Sequence, residues 1–114
     1  MPFKKGDILM GKEKNFTQAY HPIVFISGSD TSPNGVILTH SNNFPCNVPL
    51  TKGKRPSYFT AHLIEKLSGW GPYRKIGEVT SGQLALIERH IAGQAPVSWA
   101  RYLRFKVKGC PTHP

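Results

Sequence analysis

The residues of this chain best suited to chemistry stand at the two ends of one stretch, residues 20–41, which reads YHPIVFISGSDTSPNGVILTHS. His21 precedes Pro22 at one end, and Thr39, His40 and Ser41 close the other. Between them lie two short apolar runs, 23–26 and 36–38, separated by Gly28, Ser29, Asp30, Ser32, Pro33, Asn34 and Gly35. Runs this short, bounded by turn formers, predict buried strands, and a residue before proline is biased toward an extended backbone. Paired as a hairpin, the strands would bring an imidazole and several hydroxyls to one rim of a sheet. Cleaving an RNA linkage requires a base for the 2′-hydroxyl proton, an acid for the leaving oxygen and a cation for the phosphorane. His21, His40 and one lysine or arginine would be sufficient, with no metal and no cofactor.

Other chemistries fit the residues less well. Among five histidines and two cysteines, none has the close spacing that marks metal ligands, His40 and Cys46 being the nearest approach. Gly-x-Ser-x-Gly, the nucleophile elbow of hydrolases, is absent. The six acids are scattered, which argues against carboxylate dyad chemistry. Cys46 and Cys110, in a chain without an export signal, read as two free thiols.

Charge indicates the substrate class. Fifteen Lys and Arg against six acids give a formal +9, which favours polyanionic partners. Several of the cations sit where a loop could present them. Lys12 and Lys14 fall in the polar loop of residues 11–19, GKEKNFTQA, and Lys52, Lys54 and Arg55 cluster beside a glycine in TKGKRP. In SGWGPYRKIG, Trp70 and Tyr73 stand beside Arg74. Aromatic faces next to cations are what a single-stranded nucleic acid needs, since each base offers a π-face and each linkage a charge. These eight residues are the candidate substrate-binding set. The plainer alternatives are a solvated charge run for the 52–55 cluster and a core-edge position for Trp70.

The elements that would carry these residues follow from patterning. Ile8, Leu9 and Met10 predict a first strand; residues 48–50 predict a short strand that Pro49 confines to an edge; and Tyr58, Phe59 and Thr60 predict another. Thr80 with Gln83 matches a capping box, and Leu84, Ile87 and Ile91 then repeat at helical spacing until Gly93 and Pro96 end the helix. Glu88 and His90 read as surface residues of that helix. Beyond it, Leu103, Phe105 and Val107 alternate with Tyr102, Arg104, Lys106 and Lys108, the pattern of a strand with a basic outer face or, if unordered, of a basic arm. The 114 residues suit a single domain 1–114, with a core at about 3–92 and a basic tail at 96–114. No apolar run is long enough to cross a bilayer and MPFKKGD has no apolar signal region, so the expected location is cytoplasmic, with no membrane partner.

Several motifs, in this order, resemble the PemK/MazF-type toxins of bacterial toxin-antitoxin modules. KKGDIL is similar to the opening Gly-Asp strand of that family, HPIVFIS to its Arg-Pro and apolar strand ending in Ser, and GVILTHS to its strand ending in a Thr-Ser pair. KIGEVTSGQLALIERHI resembles the closing strand and helix, so the likeness spans about residues 3–92. It implies a mainly β (α+β) fold, a small SH3-like β-barrel with a C-terminal helix, usually a homodimer. It also implies a metal-independent endoribonuclease acting on single-stranded RNA and neutralised by an acidic antitoxin protein. By position, Thr39 matches the family's catalytic threonine, while His21 stands where the family keeps its catalytic arginine. An imidazole is a poorer permanent phosphate clamp than a guanidinium but a better proton shuttle near neutral pH. The chemistry is then either redistributed, with His40 and a lysine taking part, or lost, leaving an SH3-like module that binds nucleic acid or protein.

Overall fold

The computed structural model describes residues 3–12, 20–29, 33–39, 47–51, 56–65, 73–98, 101–102 and 104, with backbone only for Gly11, Lys12, Tyr20, His21 and Asn47. It is a mainly antiparallel sheet with one helix toward the C-terminus, an α+β domain. The strands are β1 (Asp7–Lys12), β2 (Tyr20–Gly28), β3 (Pro33–Thr39), β4 (Asn47–Pro49), β5 (Tyr58–Thr60), β6 (Ile64–Glu65) and β7 (Arg74–Glu78), followed by α1 (Ser81–Ile91). Their order across the sheet is β4-β5-β3-β2-β1-β7, with β6 pairing β3 on the same edge as β5. Among the described residues no ladder joins β7 to β4, so the sheet is open where the resemblance implies a closed barrel. At the β7 edge the register against β1 shifts between Ile8 and Leu9, leaving the half-exposed Ile76 as the extra residue. A bulge of this kind twists an edge away from further pairing.

Three consecutive residues of β2, Ile23, Val24 and Phe25, are buried because both faces of the sheet are covered. Alternation sends Ile23 and Phe25 to one face, with Leu9, Ile37, Ile64 and Tyr102. Val24 goes to the other, with Val36, Phe59 and Leu63 beneath Ile87 and Ile91 of α1. Each such aliphatic side chain contributes roughly 1.5–3 kcal/mol by leaving water. Gly35 of β3 lies against β2 so closely that a Cβ there would overlap the Val24 carbonyl oxygen, which is why a strand interior tolerates glycine at this point.

The helix begins as its capping box requires. The Gln83 N–H donates to Thr80 Oγ1 at 3.1 Å and the Thr80 N–H donates to Gln83 Oε1 at 2.8 Å. It ends before Gly93, whose φ of +79° reverses the chain. Gln94 then stitches the exit to the bend between β5 and β6: its Nε2 donates to Ala61 O at 2.9 Å and its Oε1 accepts from the Leu63 N–H at 3.1 Å. Val97 continues alongside, in a parallel bridge with Ile64.

The segment after Val97 departs from the expected strand with a basic outer face. Arg101, Tyr102 and Arg104 are helical, and Tyr102, predicted to face outward, is buried against the sheet at 5% exposure. The cause is local. Ser98 Oγ accepts from the Arg101 N–H at 3.2 Å, and the Tyr102 N–H donates to Ser98 O at 2.9 Å, closing a capped turn before any extended pairing can form. No helix among the described residues is long and apolar enough to cross a membrane.

Candidate functional site

β2 begins and β3 ends at the same edge of the sheet. Their ladder runs from Gly28↔Pro33 to Ile23↔Ile37 and stops there, at Pro22, which has no N–H to donate. His21 and Thr39 therefore each lie two residues beyond the last β2–β3 pair, about 7 Å along neighbouring strands. Here the strands change partners: His21 pairs with Gly11 of β1, while Thr39 pairs with Tyr58 of β5. Pro49, in the edge strand β4, faces Tyr58 from the other side, so Tyr58 sits between Thr39 and Pro49.

The remaining candidates connect to this same end. Lys12 closes β1 opposite Tyr20, so the chain leaves the sheet here toward Lys14. Leu50 and Thr51, which precede Lys52, Lys54 and Arg55, are tied back to Ser57: the Ser57 N–H donates to Thr51 Oγ1 at 2.8 Å and Ser57 O accepts from the Leu50 N–H at 2.8 Å. Arg74 opens β7 opposite Met10 and is exposed. Tyr73, just before it, packs partly buried against the cluster holding Leu9 and Ile23, and that burial raises its phenol pKa. Lys14, His40, Ser41, Lys52, Lys54, Arg55, Trp70 and both cysteines lie outside the described residues, as do the side chains of Lys12 and His21.

Sequence reasoning missed a buried polar group on this face. Thr60, His62 and Tyr102 are 2%, 3% and 5% exposed. Thr60 Oγ1 accepts from the Ile37 N–H at 3.3 Å, in the gap where β3 passes from β5 to β6. The Tyr102 phenol hydrogen-bonds Thr60, and its ring meets that of His62 edge-on at 6.0 Å. Burial pushes the Tyr102 hydroxyl up to about 12, so it stays protonated and acts as a structural hydrogen-bonding group. The one local signal was Ser98 three residues before Arg101, a cap pattern at odds with the alternation.

At the opposite end of the sheet, among the described residues, two acids meet. Asp7 and Glu78 pair across β1 and β7. Lys75 Nζ lies 2.7 Å from Glu78 and 3.2 Å from Asp7 Oδ1, while Lys4 Nζ lies 3.0 Å from Glu78. Asp7 Oδ1 is buried and has no hydrogen bond of good angle, so the Lys75 ammonium is what compensates it. The other oxygen, Oδ2, accepts the Lys4 N–H at 2.9 Å across a turn that Gly6 makes with φ +97°. Hydrogen bonds from Lys75 and Lys4 hold the Glu78 carboxyl down to about 2, and the bond to Glu78 together with the neighbouring Asp7 carboxylate raises Lys75. Lys5 pairs with the half-buried Glu88 of α1 at 3.6 Å, and the exposed His90 packs edge-on to Phe59.

No protein-family model matches this chain, and comparison with characterised proteins returns no match. The functional reading therefore rests on the residues, their register and the distribution of charge.

Proposed function

We propose that the protein is a metal-independent endoribonuclease, the toxin of a toxin-antitoxin module, acting on single-stranded RNA at the end of the sheet where β2 begins and β3 ends. The observation that carries this reading is the arrival of His21 and Thr39 on neighbouring strands at one end, each just past the last pair joining those strands. Two features support it. The acids Asp7 and Glu78 are held at the other end by Lys4 and Lys75. The segments carrying Lys14 and the 52–55 cations join described residues at the candidate end. In this mechanism His21 and His40 exchange protons with the 2′-hydroxyl and the leaving oxygen, the hydroxyls of Thr39 and Ser41 orient the phosphate, and a lysine or arginine stabilises the phosphorane. Lys12, Tyr73, Arg74 and the candidates outside the described residues hold the flanking nucleotides. An SH3-like arrangement of the strands, a homodimer and an acidic antitoxin belong to the same reading.

The test is incubation of purified protein with a long single-stranded RNA in the presence of a chelator. Cleavage that persists with chelator and disappears in His21→Ala and Thr39→Ala is the expected result. Intact RNA retarded on a gel would favour the alternative, a non-catalytic module that binds nucleic acid or protein. The histidine at position 21, where the resembled family has arginine, is the specific observation on that side.

A further inference from the structure

We propose that the turn capped by Ser98 and carrying Arg101, Tyr102 and Arg104 is a phosphate clamp, anchored on the sheet face that carries Thr39 and taking phosphodiesters of the RNA strand that the site cleaves. The inference rests on the ribonuclease reading for the identity of the ligand, but its geometry stands on other residues.

Tyr102 is the anchor. It is buried in the cluster of Leu9, Ile23, Phe25, Ile37 and Ile64, its hydroxyl bonded to Thr60 and its ring set against His62. Ser98 caps the turn, and the Val97 N–H donates to Leu63 O at 2.9 Å while Val97 O accepts from the Glu65 N–H at 2.7 Å, so the approach to the turn is fixed to the sheet as well. A merely solvated tail would not bury an aromatic residue in its first turn and bond its hydroxyl to a buried threonine. On either side of this anchor, Arg101 and Arg104 are exposed. Three apart on a helical turn, their Cβ atoms are about 5–6 Å from each other, close enough for one strand to reach both.

Placement relative to the candidate site follows from β3. The residue that Thr60 bonds is Ile37, and Thr39 is the next residue of β3 on the same face, about 7 Å further along. Charge availability points the same way. Among the described residues, Lys4, Lys5 and Lys75 are all in ion pairs with acids, whereas neither Arg101 nor Arg104 is. Guanidinium groups suit this task because their planar fork meets a phosphate with two hydrogen bonds.

The test is the salt dependence of binding of a single-stranded 2′-O-methyl RNA oligonucleotide, which has no free 2′-hydroxyl and so stays intact, to the full chain, measured by fluorescence anisotropy. In the double variant Arg101→Ala/Arg104→Ala, the slope of log K against log salt should become shallower by about 1.4, which is about 0.7 for each phosphate of a single strand that is no longer neutralised. The thermal midpoint should stay in place, since both side chains face solvent. Arg101→Lys/Arg104→Lys should keep the slope, and Tyr102→Ala should show the shallower slope of the double alanine variant although both arginines remain, marking Tyr102 as a positioning residue. Wild-type binding with an unchanged slope in the double alanine variant overturns the clamp and leaves the ribonuclease reading intact. Failure of the wild type to bind RNA at low salt overturns both. Because the double variant alters only exposed groups, the result does not depend on Tyr102→Ala folding.

Discussion

The two ends of the sheet handle charge in opposite ways. At the end where β1 starts and β7 finishes, Asp7, Glu78, Lys4 and Lys75 satisfy one another, and the turn made by Gly6 locks them to the backbone. At the other end β3 gives up its pairing with β2, Pro22 withholds a donor, and Thr39 and Tyr58 stand half-buried at the rim. A closed charge network leaves little for an outside ligand, because its cations already have partners. The β2–β3 ladder, by contrast, is interrupted, and its two strands turn to different neighbours there. A protein of formal +9 that spends acids on pairing at one end thereby concentrates its net field elsewhere.

The largest expected effect separates the ends by activity. Thr39→Val should lower the rate of RNA cleavage by at least about 100-fold, the scale of losing one positioned polar group in a proton-transfer or phosphorane-stabilising role. Glu78→Gln should leave that rate where it was. Cleavage assayed at matched concentrations of folded protein distinguishes the two, and equal losses in both variants would end the comparison. Next in size is Asp7→Ala, which removes a buried carboxylate holding both the Lys4 N–H and the Lys75 ammonium. Stability should fall by about 2 kcal/mol, read from urea unfolding, with RNA affinity unchanged. A parallel fall in affinity would show that the two ends are coupled through β1. Thr80→Ala acts at the same end, since the Val79 N–H donates to Gly6 O at 2.9 Å just ahead of the cap. Loss of the capping box should cost about 1 kcal/mol, again in urea and again without effect on RNA.

What the sequence made legible was local. The apolar runs in β1, β2 and β3 are bounded by their own turn formers, the Thr80–Gln83 box is complete within four residues, and Pro49 marks an edge strand by its chemistry alone. That β2 begins and β3 ends at one end of the sheet was legible too, because two antiparallel strands joined by a turn can pair only in that way. What escaped depended on register between distant strands or on competition between two local patterns. The pairing of Lys75 with Asp7 needs the β1–β7 register and its bulge. Tyr102 looked outward because 102–108 alternates, yet the Ser98 cap and a hydroxyl waiting on Thr60 outweigh alternation. His62 drew no attention, being a lone histidine on a bend, and its burial arises only when that turn folds back over it.

The smallest effect is also the cleanest separation of the two ends, by pH. Glu78 titrates near 2 in the folded protein against an ordinary 4.5, so its ion pairs with Lys75 and Lys4 contribute fully above about pH 4.5. That contribution is lost as pH falls from 4.5 toward 2, because the unfolded chain takes up the proton first. Lys75, raised above its ordinary 10.5, keeps its share at every pH below that value. The acid-paired end is therefore flat across the neutral range, and since Glu78 is exposed the acid limb should be shallow and weakened by salt. A site run by histidine behaves differently, its activity changing around the ordinary imidazole value of about 6.5. Urea midpoints and cleavage rates followed from about pH 2 to 8 on the wild type and on Glu78→Gln should show activity bending near neutrality in both proteins, while the limb of stability below about pH 4.5 is smaller in the variant. An acid limb of the same depth in Glu78→Gln would remove Glu78 from the account.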